Sequence, residues 1–339
     1  MSTSIPGQVT PDRLMQLMWG YAPPLILEAA IRHRIFDVLD EGAKTVEEVE
    51  EATGASARGL TAVMNALVGL GFLSKDAAGR YALTAESAAF LVSSKPSFQG
   101  GMILHSSGQL IPKWLRLNEI VATGRPAEAI NQEQLGGDFF HKFVEDIFPR
   151  SYGPAQKLAA TLDLNGAGPP LSVLDLAAGS GVWGIALAQK SQHVHVTAVD
   201  WPEVIPVTRK IVARYGLMKR FRFVAGDLLR ADFGRDHAVA TLGHILHSEG
   251  EQRSRALLRK TFQALASGGT IAVADFLVND ERTEPLVGLL FAVNMLVNTD
   301  HGDTYSFREI SGWLGEAGFV NPRTLEVPGP SPLILATKP

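Results

Sequence analysis

Three carboxylates in the second half of the chain each follow a short apolar run. Asp175 precedes a turn of small residues, Asp200 ends the next apolar run, and Asp227 follows a third. Small residues let a ligand approach the backbone, and a helix that begins there offers free N–H groups. An acid nineteen residues beyond Gly181 occupies the position at which a nucleotide-binding fold contacts ribose hydroxyls. The spacing predicts a nucleotide site built from three strand ends.

The charge of the first acid discriminates among nucleotides. A dinucleotide site places a pyrophosphate on the helix N-terminus, and Asp175 would repel it. The same carboxylate suits an ammonium group, so S-adenosyl-L-methionine, which has an ammonium and no phosphate, is favoured over a nicotinamide dinucleotide. Asp227 is expected to accept a hydrogen bond from the adenine amino group while Leu228 packs on the base. The predicted cofactor-binding residues are Asp175, Ala177, Gly179, Gly181, Asp200, Trp201, Gly226, Asp227 and Leu228.

These motifs resemble the small-molecule O-methyltransferases of the plant and bacterial type. That family has Asp-x-Gly-x-Gly-x-Gly, an acidic second strand and a Gly-Asp third strand, and here Ala177 replaces the first glycine. The resemblance covers nearly the whole chain. It implies an α/β fold, with a Rossmann-like class I methyltransferase domain after a mainly helical winged-helix dimerisation domain. It also implies methyl transfer to a hydroxyl of an aromatic or polyketide-like small molecule, with no metal.

The resemblance assigns a base at the end of the fourth strand. The family has Leu-His-Asp-Trp there, which makes His247 the candidate that deprotonates the acceptor hydroxyl, with His244 as its competitor. An imidazole with a pKa of about 6.5 suits this task near neutral pH. Two carboxylates are implied beside it, Asp275 after the fifth strand and Asp303 further along. The family's following Asp-Trp is absent, so methylation of carbon or nitrogen, or other chemistry with the same cofactor, remains an alternative.

Helices are expected to form the walls of the acceptor pocket. Asn294 and Asn298 lie one turn apart on an otherwise apolar helix, which predicts a ligand or a partner helix beside them. Aromatic walls suit both an aromatic acceptor and a cationic sulfonium. The predicted acceptor-site residues are Trp114, Phe140, Phe143, His244, Phe291, Asn294, Met295 and Asn298.

Strands and helices alternate from residue 171 onward, which predicts a parallel sheet covered on both faces. The predicted strands are Ser172–Leu176, His195–Val199, Phe221–Ala225, His237–Leu242, Thr270–Phe276 and Leu333–Thr337. The predicted helices are Gly184–Lys190, Glu203–Tyr215, Glu251–Ala266 and Phe307–Ala317.

The N-terminal part predicts a winged helix. Thr45 with Glu48 has the spacing of a capping box, a second helix spans 57–70, and short strands follow at 72–73 and 81–83. The second helix offers only Arg58 and Asn65 to a nucleic acid, so a ligand-sensing regulator is a remote alternative. The Pro23-Pro24 pair predicts two helices within 11–40, whose many apolar positions indicate a homodimer.

Bulk properties set the remaining expectations. The 339 residues carry a net charge of −4, a hydrophobic share of 46% and no cysteine, which excludes disulfides, thiolate zinc sites and a cysteine nucleophile. The chain has no excess of basic residues that would indicate binding to nucleic acid or to a membrane surface. Leu286–Val297 is too short to span a bilayer and predicts a buried helix. We expect a cytoplasmic protein with a dimerisation domain at 1–100, a helical linker at 101–165 that contributes to the acceptor pocket, and a catalytic domain at 166–339.

Overall fold

The computed structural model describes residues 9–126, 129, 133–164 and 170–339, of which 133–142 are described by backbone alone. The chain divides into two compact units, residues 1–111 and 112–339. Each has its own buried apolar cluster. The linker predicted around Gly166–Pro170 lies mostly outside the described residues.

The described part of the first unit is helical apart from a two-stranded antiparallel hairpin and a single antiparallel bridge between Lys44 and Tyr81. Thr45 and Glu48 form the predicted capping box, which fixes the start of the fourth helix. The proline pair lies in the first turn of the second helix, where missing N–H groups cost nothing, and the break between the first two helices falls at 19–21. The elements are α1 (Asp12–Met18), α2 (Ala22–Arg32), α3 (Ile35–Asp40), α4 (Val46–Thr53), α5 (Ala57–Gly69), β1 (Leu73–Lys75), β2 (Tyr81–Leu83), α6 (Ala85–Phe90) and α7 (Gly100–His105).

The second unit is built on a seven-stranded sheet. Its elements are α8 (Ile111–Trp114), α9 (Leu117–Thr123), α10 (Glu133–Thr161), β3 (Leu171–Leu176), α11 (Val182–Lys190), β4 (Val194–Asp200), α12 (Ile205–Arg214), β5 (Phe221–Ala225), β6 (His237–Gly243), α13 (Leu246–Ala264), β7 (Leu265–Ala274), β8 (Leu277–Val278), α14 (Leu286–Asn298), β9 (Tyr305–Ser306), α15 (Phe307–Ala317), β10 (Val320–Leu325) and β11 (Leu333–Thr337). The strand order is β10-β11-β7-β6-β3-β4-β5. The five strands from β7 to β5 are parallel, and β11 and β10 are antiparallel. This is the Rossmann-like arrangement, and it brings the ends of β3, β4, β5, β6 and β7 to one edge.

The strand at the sheet edge, β10, is absent from the sequence prediction. It is almost entirely exposed, contains Pro322, and is interrupted by a register shift next to Asn321, which has a φ of 54°. An edge strand without an apolar face gives no alternating pattern to detect. The strand β7 also begins five residues earlier than predicted and ends at Ala274.

Helix α14 departs from the prediction of a buried helix. Leu286 is 68% exposed and Leu290 is 52% exposed, whereas Met295 and Asn298 on another part of its surface are buried. An apolar run fixes neither which side of a helix faces the core nor how much of it does. Within the described residues, no helix is long and apolar enough to cross a membrane.

Candidate active site

The carboxyl group of Asp175 lies entirely inside the fold, at the end of β3. One oxygen accepts a hydrogen bond from the Thr241 hydroxyl at 2.7 Å, and the other accepts from the Gly184 amide at 3.0 Å. Asp175 has no solvent-exposed surface. The carboxylate is therefore directed into the sheet, not toward the ligand ammonium that the sequence argument assumed. The reason is that the first turn of α11 and the neighbouring strand β6 supply donors that satisfy it internally.

Asp200, at the end of β4, links that strand to the turn that follows β3. One carboxylate oxygen accepts from the Gly179 amide at 2.7 Å, and the other accepts from the Trp201 amide at 2.7 Å. Each oxygen keeps one further lone pair, which suits two adjacent hydroxyl donors. Trp201 itself is half-buried against the apolar cluster on this side of the sheet.

The turn between β3 and α11 has a backbone that only small residues adopt readily. Ala177, Gly179 and Gly181 all have positive φ, at 49°, 52° and 73°. A side chain on Gly181 would come within 3.2 Å of Thr208, so the turn is closed on that side. The small turn lets a ligand approach the backbone, and the carboxylate of Asp200 suits the two hydroxyl groups of an uncharged ribose. These residues therefore fit S-adenosylmethionine.

The third predicted acid is held by an ion-pair network. Asp227 accepts from the Leu229 amide at 2.9 Å and from Arg253 at 2.6 Å, and Arg253 also contacts the buried carboxylate of Glu249. Gly226 precedes it with a φ of 147°, and Leu228 is buried in the core cluster. The Asp227 side chain is 23% exposed, so part of it remains accessible at the sheet edge.

The two buried acids make stability depend on pH. Burial raises the pKa of Asp175 to about 7 and that of Asp200 to about 6, against the hydrogen bonds that both accept. The folded state thus retains protons that the unfolded chain releases near pH 4, so unfolding free energy falls as pH rises from about 4 to 7. Asp175→Asn removes one of these penalties, and at pH 8 we expect it to raise the unliganded protein's Tm by roughly 3 °C or more.

Thermal denaturation of both proteins between pH 4 and 8 measures this effect. The two Tm curves should separate progressively above pH 4. Curves that stay parallel over the whole range would contradict the assignment of a protonated Asp175.

His247 and Asp275 form a buried pair where β6 and β7 end. The Nδ1 atom of His247 lies 2.6 Å from one oxygen of Asp275, and the His247 amide donates to the other oxygen at 3.1 Å. The Phe276 amide also donates to Asp275 at 2.8 Å. Burial alone would raise the pKa of Asp275, but its interaction with His247 outweighs burial and keeps that pKa below its ordinary value. An ionised Asp275 holds the proton on Nδ1, which leaves Nε2 as a free base.

Local backbone geometry places His247 on a short helical turn. Strand β6 ends at Gly243, where a side chain would come within 2.0 Å of Trp183, so the strand and the α11 indole pack directly. Gly250 interrupts α13 with a φ of 75° and ψ of 164°, which separates the turn that carries His247 from the rest of the helix. A side chain at Gly250 would clash with His301.

His244, the competing base, occupies a different environment. Its backbone has a φ of 59° and its amide donates to Ala274 at 2.8 Å. Burial lowers the pKa of its side chain to about 4, and the charges of His247 and Arg150 act in the same direction. Asp275, which attracts a proton, bonds to His247 instead.

The backbone of Asp303 contacts the backbone of His247. Its amide donates to the His247 carbonyl at 2.9 Å. Its carboxylate accepts from the Thr304 amide at 2.7 Å and lies 3.6 Å from Arg282, with 46% of the side chain exposed. The sequence expectation of a second carboxylate beside the imidazole is therefore not the arrangement seen, because Arg282 draws the Asp303 carboxylate to itself.

Aromatic rings surround the histidine. Phe291 meets the His247 ring edge-on at 4.9 Å and stacks on Phe276 at 3.9 Å between centroids. Phe276, which sequence reasoning missed as a wall, comes directly after Asp275. Its position at a strand end was the available signal.

The predicted asparagines form a chain with Trp114. The Trp114 indole donates to Asn294 Oδ1 at 3.0 Å, and Asn298 donates to the Asn294 carbonyl at 2.9 Å. The Oδ1 atom of Asn298 is buried with no hydrogen-bond partner among the described residues. Met295 is buried on the same helix and Phe143 is half-buried on α10. The side chain of Phe140 lies outside the described residues.

The described residues contain no group of three or more potential ligands arranged to hold a metal ion.

The site combines a turn that suits a nucleoside, a histidine held by a carboxylate, and aromatic surfaces beside that histidine. Together these groups can bind a cofactor at the ends of β3 to β5 and remove a proton at the ends of β6 and β7.

Comparison with known proteins agrees with this geometry. A family model for the O-methyltransferase domain matches residues 150–320, and a model for the O-methyltransferase dimerisation domain matches residues 15–93. The 3-hydroxy-5-methyl-1-naphthoate 3-O-methyltransferase of Streptomyces sahachiroi is 31% identical over 96% of this chain and 94% of its own length. The tetracenomycin polyketide synthesis 8-O-methyltransferase TcmO of Streptomyces glaucescens is 29% identical over 97% of both chains.

A solved structure shares the fold. Human N-acetylserotonin methyltransferase in complex with S-adenosylmethionine superposes with a TM-score of 0.85 at 22% identity and covers 99% of each chain. The match between family models and chain extends over both units, and the cofactor turn lies within it. This chain belongs to the S-adenosylmethionine-dependent O-methyltransferase family, with the family's dimerisation domain ahead of its methyltransferase domain.

Proposed function

We propose that this enzyme transfers the methyl group of S-adenosylmethionine to a hydroxyl group of an aromatic, polyketide-like small molecule, with His247 as the general base. The observation that carries the proposal is the buried pair of His247 and Asp275 beside the stacked rings of Phe276 and Phe291. The names of two relatives support the same acceptor class, since one is a 3-hydroxy-5-methyl-1-naphthoate 3-O-methyltransferase and the other is an 8-O-methyltransferase of tetracenomycin polyketide synthesis.

Each residue has a defined task in this proposal. Bound S-adenosylmethionine supplies an electrophilic methyl group on a sulfonium. Asp200 orients the cofactor by accepting hydrogen bonds from its ribose hydroxyls. Asp275 keeps the proton of His247 on Nδ1, so that Nε2 accepts the acceptor's hydroxyl proton as the displacement proceeds. The edge-on and stacked rings of Phe291 and Phe276 position a flat acceptor.

An acceptor series tests the proposal. The enzyme would be incubated with methyl-labelled S-adenosylmethionine and 2-naphthol, 2-naphthylamine or naphthalene, and product formation followed by mass spectrometry. Methylated 2-naphthol as the main product is the expected result. Preferred methylation of the amine or of ring carbon would contradict transfer to oxygen and favour the alternative chemistry that the same fold permits.

We also propose a homodimer formed through the first unit. Helix α1 has no buried residue, and its apolar side chains are exposed: Leu14 66%, Leu17 67% and Met18 64%, followed by Trp19 at 65%. So much exposed apolar surface indicates a partner, and the match to a dimerisation domain supports a second copy.

Placing a charge in this surface should separate the copies. We expect Leu17→Asp to convert a dimer into a monomer in analytical ultracentrifugation, because burying an unpaired carboxylate costs more than the contact gains. Met218→Asp, a similar change at a 39%-exposed residue of the second unit, is the control and should stay dimeric. A Leu17→Asp variant that still sediments as the parent would rule out this surface.

A further inference from the structure

Arg150, on α10, carries a charge that no described residue balances. Its side chain makes neither a hydrogen bond nor an ion pair with the part of the chain that the structure describes, and its residue is exposed. Its guanidinium carbon lies 5.6 Å from the centre of the Phe276 ring. Other arginines of this unit, such as Arg253 and Arg282, have carboxylate partners.

The surroundings of Arg150 identify the place that its charge serves. Phe276, beneath it, stacks on Phe291 and lies 5.5 Å from the His244 ring between centroids. The charge of Arg150 is close enough to His244 to lower the pKa of that imidazole. The nearest anion of this cluster, Asp275, is buried and fully engaged by His247 and two backbone amides.

Among the described residues, no anion pairs with the guanidinium in this position. An aromatic face supports the cation but leaves its five N–H donors unused. These donors form a planar fork that matches a carboxylate with two parallel hydrogen bonds. A flat ring lying along Phe276 and Phe291 would bring any carboxylate at its edge to this fork.

We propose that Arg150 binds a carboxylate at the aromatic side of the active site, and thereby selects acidic ligands. This carboxylate comes either from the methyl acceptor or from the amino-acid tail of the cofactor, since both are expected beside His247. The inference rests on the proposed function only in taking these rings as part of the ligand site. It assigns a specificity residue that sequence motifs do not mark.

Binding measurements test the proposal without methyl transfer. Titration calorimetry would compare two ligand pairs that differ by the carboxylate. For the acceptor, 2-naphthoate is compared with 2-naphthamide on the protein saturated with S-adenosylhomocysteine. For the cofactor, S-adenosylhomocysteine is compared with its carboxamide, in which an amide replaces the carboxylate of the amino-acid tail. The variants are Arg150→Met and Arg150→Lys, and the control is Arg209→Met, in which an exposed guanidinium on the Phe223 ring is removed instead.

We expect the parent and Arg209→Met to prefer the carboxylate member of one pair by about tenfold or more, as a charge-assisted bidentate contact provides. Arg150→Met should abolish that preference and Arg150→Lys should retain part of it. Loss confined to the naphthoate pair assigns the carboxylate to the acceptor, and loss confined to the adenosine pair assigns it to the cofactor. Unchanged preferences in Arg150→Met, equal weakening of both members of a pair, or no preference in the parent would overturn the proposal.

Because these ligands do not react, the outcome is separate from that of the proposed function. If 2-naphthol is not methylated, these affinities can still be interpreted. If Arg150 binds no carboxylate, the proposed role of His247 is unaffected. Circular dichroism of each variant confirms its fold, and an exposed arginine is expected to be replaceable without loss of stability.

Discussion

Replacing His247 with alanine should reduce the rate of methyl transfer to a hydroxyl acceptor by about 10²- to 10⁴-fold, the range that general-base catalysis supplies. The imidazole is the group that Asp275 orients, at 2.6 Å from Nδ1, and the ring of Phe291 lies edge-on to it at 4.9 Å between centroids. The affinity for S-adenosylhomocysteine should stay within a few-fold, because the cofactor turn after β3 contains no atom of His247. Single-turnover rates and calorimetric affinities measure the two effects separately.

A second variant tests whether His247 acts as a base or only positions the acceptor. Asp275→Asn keeps the side-chain shape but presents an amide that no longer requires the proton on Nδ1, so we expect a comparable fall in rate with the fold retained. His195→Gln, an exposed histidine change on β4, serves as the control and should have parental rates. Near-parental rates in both His247→Ala and Asp275→Asn would show that transfer relies on positioning alone, and that the proposed base is wrong.

The second large effect separates two acids that look equivalent in the sequence. We expect Asp200→Asn to weaken S-adenosylhomocysteine binding by roughly 10- to 100-fold, and Asp175→Asn to change it by less than about threefold. The hydrogen-bond partners decide the difference. Both partners of Asp200 are backbone amides, which only donate, so the amide NH₂ of asparagine would face a donor.

The side-chain partner of Asp175 is a hydroxyl group, which can reverse the direction of its hydrogen bond. The Thr241 hydroxyl accepts as well as donates, and its proton has an alternative acceptor in the Leu174 carbonyl 3.5 Å away. An asparagine at 175 therefore keeps both contacts, with its oxygen on the Gly184 amide. Equal losses of affinity in the two variants would mean that Asp175 acts on the cofactor by charge. Calorimetry at pH 8, where both acids of the parent are ionised, gives the sharpest comparison.

The alternating apolar runs were sufficient to predict the central sheet. Strands β5 and β11 have the predicted bounds, and helix α15 matches residue for residue. Strand β11 is a short apolar run buried on both faces, and helix α15 buries the apolar side that its spacing predicts, so local pattern and tertiary burial agree. The edge strand β10 and the exposed side of α14 lie outside the core, where local pattern and burial no longer coincide.

The candidate site could be predicted in its residue types and less well in its contacts. The family resemblance implied that Asp275 lies beside His247, and the parallel sheet brings the ends of their two strands together. Asp303 and Asp175 show the limit of such reasoning. Each is near the predicted place, but a neighbour remote in sequence, Arg282 or Thr241, determines where the carboxylate points.

The sequence by itself determined six of the strands and the helices between them, the turn of small residues, and the set of acids and histidines at strand ends. These follow from local spacing, because strand and helix periods and turn chemistry act over a few residues. Only the tertiary structure decided which histidine holds a carboxylate, which acids face inward, and that Arg150 lies above the ring of Phe276. Hydrogen-bond partners and burial come from elements distant in the chain, and they set the direction and charge of each side chain.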